Sequence, residues 1–353
     1  MQNKPCFIIL SPGFAANEED STVLPFSQSF VLSFKKMYPH LKLIVISFQY
    51  PHRSRRYKWN GVDIIALGGA DKGGMRRKII WLKALYNIYT ISKEYQVKGI
   101  FSFWLTECAL VGQYASRIFK LKQFSWIIGQ DAKPANKVLK WLKLNRTTIV
   151  SMSPNLIDQL NRTYSVKDIL VIPSGINQDY FDAIPANGSS YDILGVGSLI
   201  ELKNYTLFIE LIAALRELYP AIKTAIIGDG PQKSALQQLI CDGGLEDNIE
   251  LMGPLKHEVV IGYMKAASIF LHPSSYEGQA TVFVEALYCG MNVICFNVGR
   301  LHSDENMFVC NTNNEMLDIL KHLLTNNKSA RKQILIRSMD DTVKEVMALY
   351  GIL

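Results

Sequence analysis

Two glutamates, Glu277 and Glu285, stand with seven residues between them in a segment that is otherwise largely apolar. Gly278 follows the first of them, and Gly290 could end a helix before the next apolar run. If a helix begins near Gln279, Glu277 lies in the loop before its N-terminus, and Glu285 lies roughly 12 Å further along the helix axis. The two carboxylates could then accept hydrogen bonds from hydroxyl groups at two places on one ligand, while the free backbone N–H groups at the helix N-terminus could bind an anion.

The same spacing has a simpler interpretation, because paired acids at this distance also occur on the solvated face of a surface helix. Thr281, Val282 and Val284 are poor helix formers, so propensity alone would also allow a strand over Ala280–Val284. A left-handed glycine cap at Gly290, followed by an apolar strand, favours the helix.

A lysine follows another strand-like run at a glycine turn. The run Tyr191–Val196 is followed by Gly197 and Ser198, and Lys203 precedes a helical stretch that begins near Tyr205. A lysine in this place supplies a compact positive charge for a phosphate group, although a solvated lysine at the start of a helix would look the same.

A further glycine-rich turn has the composition of a nucleotide-binding loop. Gly228 and Gly230 follow the apolar run Ile222–Ile227, and glycine lets the backbone approach a ligand closely. The alternative is that this segment is only a tight turn between a strand and a helix.

Together these segments resemble the retaining, nucleotide-sugar-dependent glycosyltransferases of the family 4 type. Ser275–Val293 is similar to the E-x7-E signature of that family, Val171–Phe181 to its hinge, and Leu251–Leu255 to its base-binding loop. Lys203 matches the family's lysine, whereas Ser198 stands where the family usually has an arginine. The resemblance covers the hinge and most of the second half of the chain.

The resemblance implies an enzyme that transfers a sugar from a nucleotide-diphosphate donor to a glycan or lipid-linked acceptor with retention of configuration. Lys203 and the helix N-terminus after Gly278 would stabilise the departing diphosphate. Glu277 would hold hydroxyls of the donor sugar, and Glu285 would hold the nucleotide ribose. The other donor-binding candidates are Gly278, Gln279, Ala280, Gly228, Gly230, Leu255, Ser198 and Gly13. No metal ion is expected, and no cofactor is expected besides the nucleotide sugar as co-substrate.

Candidate acceptor-binding residues lie in the first half of the chain, after strand-like runs. Trp104 and Glu107 follow the run Gly99–Phe103, and Asp131 follows the run Phe124–Ile128. Trp104 could stack on a sugar face or fill the core. Glu107 and Asp131 could bind acceptor hydroxyls or be ordinary polar residues.

Short apolar runs alternate with helical stretches in both halves of the chain, which predicts an α/β protein with two Rossmann-like doubly wound domains. The resemblance implies that they face each other across a cleft, in the glycosyltransferase B-type architecture. Loop-forming residues over Pro173–Ser190 place the boundary between an acceptor-binding domain, 1–184, and a donor-binding domain, 185–353, whose last helix could pack back on the first. The predicted strands are Cys6–Leu10, Leu43–Phe48, Val62–Ala66, Gly99–Phe103, Phe124–Ile128, Thr148–Ser151, Ile169–Ile172, Tyr191–Val196, Ile222–Ile227, Ile249–Met252, Ile269–His272, Val293–Phe296 and Met307–Cys310.

The composition is that of a folded protein and not of a disordered or membrane-spanning one. The chain has 353 residues, of which 48% are hydrophobic and 20% charged. No run approaches the roughly 18 apolar residues of a membrane span, and the N-terminal apolar run is too short for a signal peptide. Six scattered cysteines without metal-ligand spacing favour a reduced, cytoplasmic compartment.

Charge is divided unevenly between the two halves. Residues 1–184 carry 25 Lys and Arg against 12 Asp and Glu, a charge of +13, and the remainder carries 13 against 19, a charge of −6. An anionic acceptor or the inner face of a membrane suits the basic half, and nucleic acid is disfavoured because no recognised module accompanies the charge. A membrane-facing helix or a merely solvated one would both explain a set of regularly spaced lysines, namely Lys133, Lys137, Lys140 and Lys143. The other basic clusters are Arg53, Arg55, Arg56 and Lys58, and Arg76, Arg77 and Lys78.

Two other functions fit the same residues. A sugar-nucleotide epimerase on the same fold would convert a donor without an acceptor. A catalytically degenerate nucleotide-sugar-binding protein is motivated by Ser198 and by Ile128, which stands where the family usually has a histidine. A dinucleotide-dependent oxidoreductase is disfavoured, because no G-x-G-x-x-G follows the first strand. Polysaccharide or lipopolysaccharide biosynthesis is the expected setting.

Overall fold

The computed structural model describes residues 4–145, 148–188, 191–279, 281–298, 306–326 and 332–352. The chain forms two compact units, Met1–Asn177 together with Met339–Leu353, and Gln178–Ser338. The division falls earlier than the predicted boundary at residue 184, and the C-terminal segment belongs to the first unit and not to the second. In the described ranges, no helix is both long and apolar enough to cross a membrane.

The first unit is built around a sheet that is parallel apart from one edge strand. Its elements are β1 (Pro5–Gly13), α1 (Pro25–Met37), β2 (Lys42–Tyr50), β3 (Arg55–Trp59), β4 (Val62–Ala66), α2 (Gly74–Glu94), β5 (Gln96–Phe103), α3 (Glu107–Phe119), β6 (Gln123–Ile127), β7 (Ile149–Ser151) and α4 (Pro154–Asn161). Within the described residues the sheet has seven strands in the order β3-β4-β2-β1-β5-β6-β7, and β3 runs antiparallel to β4.

Alternate residues of the central strands are buried on opposite faces of this sheet. Phe7 and Ile9 of β1 belong to one hydrophobic cluster, and Cys6 and Ile8 belong to another. Because both faces are covered, the strands read as continuous apolar runs in the sequence and not as an alternating pattern.

Three features of the first unit depart from the sequence predictions. Ile169–Ile172 forms no strand and contributes only a single bridge between Val171 and Ser151. The prediction of one helical face over Lys133–Lys143 is wrong, because within it only Lys137–Trp141 is helical, and that segment is a short 3-10 helix. The sequence pattern does not predict β3, since its residues are largely charged and exposed.

The second unit contains a fully parallel sheet that is wound in two directions. Its elements are α5 (Gln178–Asp182), β8 (Ile193–Val196), α6 (Tyr205–Arg216), β9 (Thr224–Ile227), α7 (Lys233–Asp242), β10 (Ile249–Gly253), α8 (His257–Ala266), β11 (Ile269–His272), α9 (Thr281–Tyr288), β12 (Asn292–Phe296), β13 (Met307–Cys310) and α10 (Asn313–Thr325). Among the described residues the strand order is β10-β9-β8-β11-β12-β13, so the winding reverses between β8 and β11. Ligands of doubly wound sheets bind at the carboxyl ends of the strands at such a reversal.

The C-terminal helix α11 (Met339–Ala348) packs against α1 of the first unit. Beyond it, the Tyr350 hydroxyl donates to the Ile100 carbonyl at 2.5 Å and accepts from the Phe124 N–H at 3.3 Å. Its ring meets that of Phe7 edge-on, with 4.8 Å between ring centroids. These contacts hold the end of the chain on β1, β5 and β6.

Replacing Tyr350 by alanine should lower the free energy of unfolding of the first unit by about 2–4 kcal/mol, because it removes the ring from its neighbours and the donor from the Ile100 carbonyl. All five tryptophans lie between residues 59 and 141, so tryptophan fluorescence during urea unfolding reports on this unit. Tyr86→Ala, at a side chain that is 65% exposed, is the matched control and should change stability by less than about 0.5 kcal/mol. Equally small effects of both substitutions would show that the C-terminal segment does not stabilise the first unit.

Candidate active site

The loops that follow β8 and β11 are tied together through one carbonyl group. The Ser275 N–H and the Ser274 hydroxyl both donate to the Leu202 carbonyl, each at 2.9 Å. Because β8 and β11 are neighbours in the sheet, these bonds bring the residues after each strand to one place. Lys203, at the end of a short 3-10 turn, and Glu277, in the loop before α9, are thereby in contact.

Glu277 receives two donors on the same oxygen. Lys203 Nζ lies 2.5 Å and His272 Nε2 lies 2.7 Å from Glu277 Oε1. The side chains of Lys203, Glu277 and His272 are only 18%, 12% and 0% exposed. Among the described residues no group donates to Oε2. One carboxylate oxygen is therefore fixed from within the protein, and the other is available to an external partner.

The electrostatics of this cluster keep the carboxylate ionised. Burial raises the pKa of Glu277, but the hydrogen bond from His272 and the positive charge of Lys203 outweigh it and bring that pKa down to about 2. An ionised carboxylate accepts hydrogen bonds and has no proton to donate. At neutral pH Glu277 can therefore hold hydroxyl groups but cannot act as a general acid.

His272 is held neutral beside this carboxylate. Burial lowers the pKa of His272, and the nearby Lys203 lowers it further, against the opposing effect of Glu277. A neutral ring that donates through Nε2 keeps a lone pair on Nδ1, and no described residue bonds to that buried atom. Phe283 meets the ring edge-on at 4.9 Å and Phe270 stacks on it at 5.7 Å, which fixes its orientation.

Glu285 lies on α9 and has a histidine partner of its own. Its Oε1 is 3.1 Å from Nε2 of His257, the first residue of α8, and the Tyr180 ring stacks on that imidazole at 5.8 Å. The predicted helix is confirmed despite its β-branched residues, although it begins at Thr281 and not at Gln279. Gly290 adopts a φ of 79°, the left-handed cap conformation that the sequence predicts.

The glycines of the turn after β9 are required by a neighbouring turn of the protein itself. A Cβ atom added to Gly228, whose φ is +154°, would lie 1.9 Å from the Gly197 carbonyl oxygen. One added to Gly230 would lie 2.5 Å from the Leu199 carbonyl oxygen. The turns after β8 and β9 therefore pack backbone against backbone, which accounts for both glycines without a ligand.

The remaining predicted donor residues lie in loops of the second unit, except for Gly13. Ser198 is exposed in the turn after β8, and Leu255 is half-buried between β10 and α8. Gly278 and Gln279 are buried between Glu277 and α9, whereas Ala280 lies outside the described residues. Gly13 is the last residue of β1 in the first unit.

The two predicted acceptor-binding acids, Glu107 and Asp131, both accept hydrogen bonds from other groups of the first unit. Glu107 accepts from Trp81 Nε1 at 2.6 Å and from the Gln49 amide. Asp131 accepts from the backbone N–H groups of Leu105 at 2.8 Å and Gly129 at 2.6 Å, which joins the loops after β5 and β6. Both side chains therefore have internal structural roles.

Trp104, the third predicted acceptor residue, follows β5 directly. Its φ of +63° places it in the left-handed region, which bulky residues rarely occupy. The indole is half-buried and meets the Phe26 ring at 5.3 Å, so part of it belongs to the core.

His272 and His257 have no role predicted from the sequence, yet the structure pairs each of them with one of the two glutamates. A weak signal was available for both. His272 ends β11 and lies five residues before Glu277, and His257 begins α8 directly after the loop that contains Leu255. A histidine at a strand or helix end is common, so only the folded contact distinguishes these two.

Residues 177–334 match the family described as Glycosyl transferases group 1. This matched segment, called here the group 1 domain, is similar to that family over nearly the whole second unit. Its bounds coincide closely with the unit Gln178–Ser338 and enclose Lys203, His272, Glu277 and Glu285. The resemblance to nucleotide-sugar glycosyltransferases is confirmed at the level of this family.

Curated relatives are similar to this chain over about half of its length or more. A phosphatidylinositol N-acetylglucosaminyltransferase gpi3 subunit of Schizosaccharomyces pombe is 29% identical over 198 residues, or 54% of this chain and 43% of that protein. The alpha-monoglucosyldiacylglycerol synthase of Acholeplasma laidlawii is 22% identical over 311 residues, or 83% of this chain and 73% of that protein. The chain spans between 28% and 43% of the length of the phosphatidylinositol N-acetylglucosaminyltransferase subunits that it matches.

Solved structures resemble the whole chain, including the unit outside the group 1 domain. Sucrose-phosphate synthase from Thermosynechococcus elongatus gives a TM-score of 0.73 at 17% identity, over 98% of this chain and 95% of that one. Anabaena HepE in complex with UDP and glucose gives 0.66 at 14% identity, over 97% of each chain. At these identities the likeness concerns the fold alone, and it confirms the prediction of two Rossmann-like domains of the glycosyltransferase B type.

Glu277→Gln should flatten the acid dependence of the stability of the group 1 domain. The pKa of Glu277 in the folded state is about 2, against an ordinary value of 4.5. The ionised carboxylate therefore contributes stability that is complete above pH 4.5 and is lost as the pH falls toward 2. This shift corresponds to about 3 kcal/mol of unfolding free energy, which the wild type should lose and the variant should not.

Unfolding of both proteins by scanning calorimetry over this pH range measures the difference. Glu217→Gln, at an exposed position on the same domain, should follow the wild-type curve. Parallel curves for Glu277→Gln and the wild type would contradict the assigned environment of the carboxylate.

Proposed function

We propose that this chain transfers a sugar from a nucleotide-diphosphate donor to a glycan or lipid-linked acceptor with retention of configuration. One observation carries the proposal: an ammonium and an ionised carboxylate meet at the reversal of the sheet, directly before α9. A sugar nucleotide combines a polyanion with neutral hydroxyls, and this pair offers a partner for each.

Lys203 would stabilise the departing diphosphate. An ammonium group has three N–H donors, and Glu277 uses one of them. The other two could reach phosphate oxygens, assisted by the positive end of the α9 dipole. Charge that develops on the leaving group would thus be neutralised by fixed groups of the protein, and for this reason the proposal requires no metal ion.

The two glutamates would hold the neutral parts of the donor. Glu277 is ionised, so its free oxygen can accept from sugar hydroxyls without giving up a proton. Glu285 likewise uses one oxygen on His257, which leaves the other for the ribose hydroxyls. Because each histidine fixes one carboxylate in place, binding would cost little reorganisation.

The other candidates have supporting roles in the proposal. Main-chain atoms near Gly278 and Gln279 would approach the diphosphate, and those near Leu255 would hold the base. We also propose that main-chain atoms of Ser198, Ala280 and the turn with Gly228 and Gly230 approach the donor. Gly13, in the first unit, stays a prediction from the resemblance. On the acceptor side Trp104 is the strongest candidate, because Glu107 and Asp131 already have internal partners.

The names of the relatives support a lipid-linked acceptor. Both the phosphatidylinositol N-acetylglucosaminyltransferase subunits and the alpha-monoglucosyldiacylglycerol synthase are named for lipids. The six cysteines are unpaired, and all except Cys241 are buried, which supports a reducing, cytoplasmic location. Transfer at the inner face of a membrane is therefore the proposed setting.

Lys203→Ala and Glu277→Gln should each lower the rate of nucleotide diphosphate release by about 10²–10³-fold, since each removes a group that contacts the reacting donor. The assay measures release from uridine, guanosine and adenosine diphosphate sugars, with and without lipid and glycan acceptors, and the rate should be unchanged by a metal chelator. Lys223→Ala, at an exposed lysine just before β9, is the control and should keep the wild-type rate. Unchanged turnover in both site variants would refute the assigned roles.

The same assay separates the two alternative functions. Conversion of a donor sugar without any acceptor would indicate an epimerase. A rise in melting temperature with a sugar nucleotide, without turnover of any donor, would indicate a binding protein.

His272→Phe should lower kcat by about tenfold or more with a smaller change in KM, because Glu277 loses the donor that orients it. His272→Gln keeps a side-chain N–H at a similar distance and should recover part of kcat. Steady-state kinetics on the folded variants measures both effects, with folding checked by thermal unfolding. A lower kcat in His272→Gln together with an unchanged kcat in His272→Phe would indicate that the ring has only a packing role.

A further inference from the structure

The longest helix among the described residues, α2, exposes apolar side chains to solvent along its length. The members of this row, called here the α2 stripe, are between 45% and 70% exposed and are Met75, Ile79, Leu82, Tyr86 and Tyr89. Successive spacings of four and three residues place them on one side of the helix. A continuous exposed apolar row of this length is uncommon on a protein surface and marks an interaction site.

The α2 stripe is separate from the side of the helix that builds the core. The buried residues of α2 lie on the opposite side and include Ile80, Ala84, Ile88 and Ile91. The neighbouring helix α3 also exposes two apolar side chains, Tyr114 at 47% and Ile118 at 60%. Folding of the first unit therefore accounts for one apolar side of α2 and not for the other.

Basic residues border the α2 stripe. At 100° per residue, Lys78 lies on one side of it, Arg76 and Lys83 lie on the other, and Lys93 continues it at the C-terminal end. Glu94 is the only acidic residue of α2. The surface is thus apolar along its centre and positive at its edges.

This charge distribution decides between two occupants. A spacing of alternating threes and fours would also suit helix pairing with a second copy of the chain. Such a pair would bring two rows of lysine and arginine together, with Glu94 as the only acidic residue that each copy of α2 supplies. An anionic bilayer instead neutralises the edges, takes up the apolar centre, and offers the interfacial environment that tyrosine favours.

We propose that the α2 stripe and its basic edges dock the first unit on an anionic lipid bilayer, with α2 lying in the plane of the interface. The positive charge of the first half has its docking face here and not on the predicted lysine helix, since Lys133–Lys143 has no continuous helical face. The inference rests on α2 and stands whether or not the chain transfers a sugar. Docking of α2 on a bilayer would place the protein on the same surface as a lipid-linked acceptor.

Sedimentation of the full chain with lipid vesicles tests the proposal. The wild type should bind phosphatidylcholine vesicles that contain roughly a third phosphatidylglycerol and should not bind phosphatidylcholine alone. One variant combines Leu82→Ser with Tyr86→Ser, and a second combines Lys78→Glu with Lys83→Glu. Each should lower the partition constant at least about tenfold, since a single basic residue near an anionic surface contributes about fivefold.

Two controls match these variants in chemistry. Lys167→Glu with Lys223→Glu changes the net charge equally, and Leu218→Ser removes an apolar side chain that is 61% exposed; both should keep wild-type binding. Thermal unfolding confirms that each variant is folded. Absence of wild-type binding, or equal losses in variants and controls, would overturn the proposal. Light scattering without lipid provides a further test. If the wild type is a dimer and the variant Leu82→Ser with Tyr86→Ser is a monomer, the occupant of the α2 stripe is a second copy of the chain and not a bilayer.

Discussion

A buried charge pair at the reversal of the second sheet is the interaction on which the candidate site depends. A carboxylate withdrawn from solvent is costly unless donors compensate it, and Glu277 is compensated by Lys203 and His272 on a single oxygen. These three residues come from the ends of β8 and β11, which are adjacent only because the strand order reverses between them. The strand order of the sheet is therefore what brings the charged groups of the site together.

Glu277 and Glu285 have the same kind of hydrogen-bond partner in the folded protein. Each has a histidine on one oxygen, His272 for Glu277 and His257 for Glu285, and each keeps the other oxygen free of donors among the described residues. Glu277 lies in the loop before α9 and Glu285 lies about one turn inside that helix, so the two carboxylates occupy different places along it. Two acids that are identical in sequence thus become two distinct, oriented acceptors.

The first unit uses its polar residues differently. Glu107 and Asp131 bind side-chain and backbone donors of their own unit, so their carboxylates organise the loops after β5 and β6. What this unit presents to solvent is instead the apolar row on α2, bordered by lysine and arginine. A basic half without a recognised nucleic-acid module is explained better by such a surface than by the individual acids.

Lys203, Glu277, Glu285 and the Gly290 cap were predictable from sequence, since each lies at a fixed offset from an apolar run that forms a strand or a helix. The two histidine partners were not, because their contacts join residues of different strands and helices. The internal role of Glu107 was not predictable for the same reason, because its hydrogen-bond partners lie 26 and 58 residues away in the chain.

The sequence by itself determined the two α/β units and the places where glycine, lysine and glutamate follow a strand, because these depend on local periodicity and turn chemistry. Only the tertiary structure decided which of those strand ends meet, which oxygen of each carboxylate is used, and which side of α2 stays uncovered. Those features depend on strand order and packing, which bring together residues that no local pattern connects.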